Sequence, residues 1–312
     1  MLAIESSPLP FEAALRAPEE RLGQYSLLRR LPAGLRAEVW LGLPPGGASL
    51  GQLVAIKAFF PHARGPAAAA LAAELSLAPR LVHPNVVQTL RIGRDAQRPF
   101  IVSEHLEGTT LRALLRRVRV ARASAEAAAV ARVLLGIVRA VGHAQRQAKT
   151  AAERALAAQA VAADDVFITF DGAVKLLGFK AQLEGVERRC LEFEAPNDAT
   201  APAAIDALLS EHLTPELRGV LGAACRPGSG SGGLARVGQE LERWQTEVLR
   251  SDGRAELAEL VEVMFPSARL EQRAQLDALL EQWMSARSLV ASFAADNDAA
   301  PASGFRTIRP EA

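Results

Sequence analysis

The sequence predicts an α+β fold of two lobes, with a small β-rich N-terminal lobe and a mostly helical C-terminal lobe. From Tyr25 to Phe60 the chain alternates between apolar and polar residues, and Pro- and Gly-containing turns separate the runs, which is typical of antiparallel strands. Residues 111–162 are mostly helix formers. Six aliphatic residues in that stretch recur at the spacing of one buried helix face, namely Val130, Val133, Leu134, Ile137, Val138 and Val141.

The composition is that of a folded protein and argues against several classes of function. The 312 residues, 49% hydrophobic and 23% charged, can bury the core of one large or two small domains. A net charge of +1 gives no sign of nucleic-acid binding. Cys190 and Cys225 have no partner at metal-ligand spacing, so we expect no zinc site or disulfide framework and favour a cytoplasmic location. We expect no signal peptide and no membrane span.

The N-terminal lobe is expected to contain five strands and one helix. The strands are expected within residues 25–31, 37–43, 51–60, 86–93 and 99–106. The helix is expected within residues 65–81, where Pro79 marks its end.

The C-terminal lobe is expected to continue with a hairpin over residues 166–179, around an Asp-Gly turn. We expect Thr214 to cap a helix with Pro215 at its first position, and residues 226–233 to form a flexible break. Three apolar helical stripes follow: Leu234, Val237, Leu241, Trp244 and Val248; Leu257, Leu260, Val261, Met264 and Phe265; and Leu276, Leu279, Leu280 and Trp283. They add to the large lobe or form a docking surface, and core packing is the favoured reading. From residue 294 we expect disorder.

Four motifs occur in an order that indicates the fold. The strand "VAIK" ends at Lys57, and Glu74 lies in the next helix; "HPNVV", "FIVSEHLEGTTL" and "DDVFITFDGAVKLLGF" follow. Over about residues 22–225 this order resembles the protein kinase fold, in particular that of bacterial Ser/Thr kinases. The resemblance implies that Lys57 contacts phosphate and pairs with Glu74.

The resemblance also places a nucleotide pocket at the hinge. Glu104 and Leu106 lie where the backbone of a kinase would hold an adenine ring, and Ser103 lies where access to the back pocket is controlled. With Lys57 and Glu74 these residues are expected to form a vestigial nucleotide pocket. We expect no cofactor, and any ATP binding should be weak and independent of metal.

The departures from the family pattern fall on the residues that perform the chemistry. The glycine-rich phosphate loop is replaced by Pro32, Ala33, Gly34, Leu35, Arg36 and Ala37, and proline offers no amide donor. The catalytic loop falls on residues 158–165, where Ala160 cannot accept a proton and Ala158 lacks the usual ring. The good helix formers from Thr150 to Ala163 predict a helix in place of that loop.

The metal-binding motif is altered as well. Gly178, Phe179 and Lys180 stand where the family has D-F-G, so the metal-binding carboxylate is missing. Asp165 could still ligate a cation, but the favoured reading is that Asp164 and Asp165 simply begin a strand. "FEAPN" (193–197) ends in Asn197 where the family has an acid, and residues 198–213 are too few for a peptide-docking platform.

The sequence therefore predicts a catalytically inactive pseudokinase, acting as a regulatory scaffold that binds protein partners, such as an active kinase or another signalling component. One alternative is an ATP-binding enzyme with non-standard phosphoryl or nucleotidyl transfer that uses Lys57, Glu74 and Asp165. Another is a structural subunit whose pocket is filled by its own side chains. The expected segments are an N-terminal extension (1–21), N-lobe (22–108), truncated C-lobe (109–225), flexible break (226–233), C-terminal helices (234–293) and disordered tail (294–312).

Overall fold

A computed structural model of the chain describes residues 21–32, 37–60, 66–159, 161–179, 190–191, 215 and 233–298. Six antiparallel strands form the N-lobe sheet in the order β1-β2-β3-β4-β6-β5. They are β1 (Arg21–Leu22), β2 (Tyr25–Leu31), β3 (Ala37–Leu43), β4 (Val54–Phe59), β5 (Thr89–Asp95) and β6 (Arg98–Glu104).

The five predicted strands are confirmed, with differences at their ends. β4 starts late because residues 50–52 form a 3-10 turn. β5 begins at Thr89 because Val86 leaves the sheet to form a bridge with Leu176 in the other lobe. The two-residue strand β1 was not predicted, since a pairing with β2 leaves no periodic pattern in so short a segment.

Helix α1 (Pro66–Leu77) packs on one face of this sheet and ends in a 3-10 turn that contains Pro79, as predicted. Leu71 and Leu75 contact the cluster formed by Ala37, Phe59 and Ile101. Cross-strand partners share a face of a sheet and side chains alternate along each strand, so this is also the face that carries Lys57. We call it the cleft face, because it looks toward the second lobe.

The C-lobe is built on α2 (Leu111–Ala121), α3 (Ala127–Gln147) and α4 (Ala151–Ala157). The six aliphatic residues predicted to form one face of α3 are all buried in the main core. By length and composition alone α3 could cross a membrane, but 72% of its most apolar window is buried inside the protein, as in a core helix.

The predicted hairpin is present as β9 (Val166–Thr169) and β10 (Val174–Leu176), and β7 (Gly108–Thr110) pairs with β9 as a third strand. Its turn requires glycine at position 172, where φ is +76° and a Cβ atom would lie 2.1 Å from the Arg254 carbonyl oxygen. Arg254 Nε donates to the Asp171 carbonyl oxygen at 3.0 Å. The hairpin turn is thereby docked on the C-terminal helices.

The helix predicted from Thr150 to Ala163 is wrong beyond Ala157. The chain leaves α4 there, and β8 (Val161–Ala162) pairs with β11 (Cys190–Leu191). The backbone N–H of Arg112 also donates to the carbonyl oxygen of Ala163 at 3.2 Å. These long-range hydrogen bonds override the local helix propensity of an Ala-rich segment.

The C-terminal part contains α5 (Gly233–Trp244), a π-helical turn (Gln245–Leu249), α6 (Arg254–Met264) and α7 (Ala268–Asp298). α5 and α6 pack into the main C-lobe core, so the core reading of the first two stripes is confirmed. Val248 is the exception, with 62% of its surface exposed. The wider π turn rotates it outward and turns Gln245 inward, where its Nε2 donates to the Asp252 carbonyl oxygen at 3.1 Å.

The third predicted stripe, on α7, packs against the N-lobe. Leu276 and Leu280 of α7 cluster with Leu41, Leu43 and Leu53 of the N-lobe. The prediction of disorder from residue 294 is wrong as far as Asp298, because α7 continues to that residue. Several predicted features fall outside the described residues, namely Ala160, Lys180, residues 193–197, residues 198–214, residues 226–232 and the tail from residue 299. Gly233, the last residue of the predicted break, is the first residue of α5.

A buried ion pair ties α1 to α4. Glu153 is only 1% exposed, and its Oε2 lies 2.6 Å from Arg80 Nη2. The same carboxylate accepts from the backbone N–H groups of Lys149 (2.7 Å) and Thr150 (3.2 Å), which completes a capping box with Thr150. The ion pair with Arg80, followed by the hydrogen bond from the Lys149 N–H, lowers the pKa of Glu153 from 4.5 to about 2.

We expect Glu153→Gln to lower the free energy of unfolding by about 3 kcal/mol at pH 7, because it leaves Arg80 without its buried counter-ion. The pKa of Glu153 is depressed, so this stabilisation is complete above its ordinary value of 4.5 and is lost as the pH falls toward 2. Urea unfolding of the wild type and the variant between pH 7 and pH 3 measures both effects. Glu259→Gln, an exposed change on α6, is the control, and an equal loss in the two variants would contradict the prediction.

Candidate functional site

Lys57 and Glu74 form the predicted ion pair. Strand β4 presents Lys57 on the cleft face, and α1 turns Glu74 toward it, so that Lys57 Nζ donates to Glu74 Oε1. The two side chains are 20% and 9% exposed, respectively. The ammonium group also lies 4.7 Å from the centre of the Phe59 ring. This pair is the best-defined part of the site.

Glu104 anchors the hinge with its side chain. Its Oε1 accepts from Lys175 Nζ at 2.5 Å and from the Gln88 N–H at 2.8 Å. Its backbone N–H donates to the Gln88 carbonyl oxygen at 3.1 Å. Lys175 belongs to β10 of the C-lobe, so the carboxylate of Glu104 joins the two lobes at the end of β6.

The rest of the hinge is short and half-buried. Leu106 lies in the connection between β6 and β7, and among the described residues none forms a hydrogen bond with its backbone. Burial lowers the pKa of the neighbouring His105 imidazole. Ser103 pairs with Ala55 across the sheet and therefore shares the cleft face with Lys57. Glu104 lies about 10 Å further along β6 than the cross-strand partner of Lys57, at 3.3 Å per residue.

Asp164 and Asp165 occupy the turn that precedes β9. Asp164 is exposed, and its Oδ2 accepts from Arg112 Nε at 2.7 Å. Asp165 is only 8% exposed, and its carbonyl oxygen accepts from the Leu177 N–H at 2.7 Å. That hydrogen bond places Asp165 beside the segment that holds the altered metal motif.

The backbone at Gly178 is in a conformation reserved for glycine. Its φ is +116°, and among the described residues beyond its chain neighbours no atom lies within 4 Å of the place where a Cβ atom would stand. A side chain would therefore have room but would strain the backbone. Phe179, the next residue, is 6% exposed and packs into the main core. The structure keeps the packing role of this motif and has no carboxylate at its first position.

In the phosphate-loop region, the structure describes the residues on either side of the loop. Pro32 follows β2, and Ala37 begins β3, where it is 5% exposed and pairs with Phe59. Residues 33–36 between them lie outside the description. Ala158 is exposed at the end of α4.

The structure thus brings Lys57 and Glu74 into contact and places Glu104 and Leu106 at the hinge of the same cleft. Sequence reasoning missed three residues that hold this arrangement. Lys175 fixes Glu104, and Arg80 with Glu153 holds the end of α1. A signal for Glu153 was present, because "TAAE" has the spacing of a capping box. The long-range partners Lys175 and Arg80 carry no local pattern.

Comparison with known proteins gives the same outline. Residues 25–179 match the family model for protein tyrosine and serine/threonine kinases. The chain is also 29% identical over 171 residues to the tyrosine-protein kinase MasK of Myxococcus xanthus (strain DK1622). That alignment covers 54% of this chain and 26% of the relative, so the chain spans about a quarter of the length of the curated relative it matches.

The match runs from the first full strand of the N-lobe sheet to Phe179, and thus includes the Lys57–Glu74 pair, the hinge and the hairpin. The fold on these residues is the predicted two-lobed α+β arrangement, with a curled sheet followed by helices. Residues 25–179 therefore form a protein kinase-like domain.

Proposed function

We propose that this protein is a pseudokinase: it keeps the two-lobed frame of a kinase without phosphoryl transfer and serves as a regulatory module that binds other proteins. The expected setting is cytoplasmic bacterial signalling, and an active kinase or another signalling component is the expected kind of partner. Binding of nucleic acid plays no part in this function, because the net charge is only +1.

The observation that carries the proposal is the backbone at Gly178. A kinase needs an aspartate there to hold Mg²⁺ against the phosphates. The φ of +116° belongs to a region that aspartate rarely adopts, so the turn itself is adapted to glycine. The carboxylate is therefore missing at a position whose backbone suits glycine better than aspartate.

The sizes of the missing effects support the same proposal. A positioned general base contributes roughly 10² to 10⁴ in rate, and Ala160 stands where the family has that base. A metal ion that neutralises the transferring phosphoryl group contributes several kcal/mol more. Catalytic residues act together, so the residues that remain cannot make up for the lost ones. Here the remaining residues are Lys57 and Glu74.

The retained charged residues have structural partners within the chain. Lys57 pairs with Glu74, and Glu104 pairs with Lys175, so the two pairs join sheet to helix and lobe to lobe. These two ion pairs explain how the two-lobed fold remains stable without phosphoryl transfer. That a two-lobed frame is useful for binding proteins is an argument by analogy with the fold.

A second candidate is an ATP-using enzyme with non-standard transfer chemistry. The observation that favours it is Asp165, a residue only 8% exposed beside the altered metal motif. A thermal shift with ATP separates the candidates: a shift that needs Mg²⁺ favours the enzyme. A shift without Mg²⁺ favours a nucleotide-gated binder, and no shift favours a structural subunit whose pocket is filled by its own side chains.

We expect no micromolar affinity for Mg·ATP, because the metal carboxylate and the glycines of the phosphate loop are altered together. Isothermal titration calorimetry of the full chain with ATP, with and without Mg²⁺, measures this. Weak binding without metal at the hinge agrees with the proposal, whereas micromolar binding that depends on Mg²⁺ contradicts it.

Lys57→Ala should lower stability without abolishing partner binding. The sequence alone predicts a partly exposed pair worth about 0 to 1 kcal/mol. The burial of Glu74 raises the expected loss to about 1 to 3 kcal/mol, because a nearly inaccessible carboxylate is left without its cation. Denaturant unfolding of Lys57→Ala and of Lys57→Ala with Glu74→Gln measures it, and the second change should recover part of the loss. Loss of a cellular activity at unchanged stability would assign Lys57 a functional role instead.

Gly178→Asp should not restore phosphoryl transfer and should cost about 1 to 3 kcal/mol of stability through backbone strain. Gly178→Ala is the matched control, since it brings the same strain without a carboxylate. Both variants and Gly178→Asp with Ala160→Asp are assayed for transfer of labelled phosphate to themselves and to a basic protein. Robust, metal-dependent labelling by Gly178→Asp alone would indicate a recently silenced enzyme and would refute the proposal.

A further inference from the structure

Helix α7 starts on the C-lobe and runs along the N-lobe. Ala268 at its start, and Phe265 just before it, pack against the main C-lobe core. Two to three turns later, Leu276 and Leu280 are each 4% exposed and belong to a cluster of N-lobe leucines. One helix therefore has both lobes as its packing partners.

Between these two contacts, α7 forms hydrogen bonds with the residues just beyond the hinge. Gln272 makes a two-point contact with Gly108: its Nε2 donates to the Gly108 carbonyl oxygen at 3.0 Å, and its Oε1 accepts from the Gly108 N–H at 3.3 Å. The next residue, Arg273, donates from Nε to Glu107 Oε2 at 3.0 Å. A glutamine that matches both groups of one peptide residue fixes the register of the helix on the backbone.

The sheet register shows which face α7 covers. Leu41 pairs directly with Ala55, which is two residues before Lys57 on the same strand. Cross-strand partners and alternate residues share a face, so Leu41 lies on the cleft face that carries Lys57. Leu41 is 0% exposed, and Leu276 and Leu280 of α7 are in its cluster.

The last residue before the altered phosphate loop lies in the same cluster. Leu31 pairs with Val39, which itself pairs with Lys57, so Leu31 also belongs to the cleft face. It packs against the cluster together with Leu279 and Trp283 of α7. The apolar stripe of α7 therefore covers the cleft face from the strand next to Ala55 toward the phosphate loop.

We propose that α7 is an intramolecular latch that holds the two lobes together and covers apolar surface of the cleft face that a nucleotide base would otherwise contact. The bases of nucleotides are flat and largely apolar, and they bind to apolar walls with a few polar contacts. Such a base and the leucine stripe of α7 compete for the same sheet face. This inference rests on the proposed loss of kinase chemistry and adds a cause for weak nucleotide binding that lies outside the catalytic motifs.

If α7 is a latch, the apparent affinity for nucleotide depends on how often α7 is released. A ligand whose binding requires an open state has its apparent affinity reduced by the fraction of molecules in that state. Weakening the contact between α7 and the sheet should raise the nucleotide affinity, although no residue of the catalytic motifs is changed. Damage to the motifs alone predicts no such gain.

The experiment uses the full chain with Leu276→Asp and Leu280→Asp, which place charges in the leucine cluster. The matched control carries Leu270→Asp and Ala278→Asp, two exposed positions on the same helix. Hydrogen exchange at residues 276–283 reports release of α7. Fluorescence of trinitrophenyl-ATP without Mg²⁺ reports the base site, and labelled-phosphate transfer is measured in parallel.

We expect exchange at residues 276–283 to become at least tenfold faster in the buried-face variant and the affinity for trinitrophenyl-ATP to rise about tenfold. The control should match the wild type in both readouts. Release of α7 with a nucleotide affinity within twofold of that of the wild type would overturn the latch. If the double aspartate variant unfolds, Leu276→Ala with Leu280→Ala is judged by the same two criteria.

The parallel assay separates this inference from the proposed function. Phosphate transfer by the wild type would refute the pseudokinase proposal, whatever the affinity measurements give. An unchanged affinity after release of α7, with no transfer in any variant, would refute the latch alone.

Discussion

The ion pair of Arg80 with Glu153 is the contact on which the placement of α1 depends. Glu153 is nearly inaccessible to water, so its charge must be compensated inside the protein, and Arg80 just beyond α1 provides the compensation. With that end fixed to α4, the helix presents Glu74 to Lys57 on the sheet. Buried charges that the chain itself neutralises therefore help to set the relative position of β4, α1 and the C-lobe, together with the apolar contacts of Ala73 and Leu77 with the C-lobe core.

The same principle extends to the other lobe contacts. Glu104 at the hinge is neutralised by Lys175 of the C-lobe hairpin, and α7 joins the lobes through Gln272 and its leucine stripe. In an active kinase, metal and nucleotide help to organise the cleft between the lobes. Here side chains of the chain itself form the connections between the lobes, as the proposed binding role requires.

Sequence reasoning predicts what is local and misses what depends on distant partners. The strands and the buried face of α3 follow from periodicity, and the Lys57–Glu74 pair follows from the resemblance to kinases. The end of α4 could not be predicted, because it depends on a pairing of residues 161–162 with residues 190–191. The stripe on α7 shows that one face is buried, but its spacing does not tell which lobe covers it.

If the chain's own contacts rather than Mg·ATP hold α1 in place, residues 66–80 should be equally protected with and without the nucleotide. Amide hydrogen exchange over these residues, with and without saturating Mg·ATP, measures this protection. We expect the same strong protection of this segment in both conditions. A large gain of protection that requires both ATP and Mg²⁺ would show that a nucleotide–metal complex organises the cleft, and it would contradict the claim.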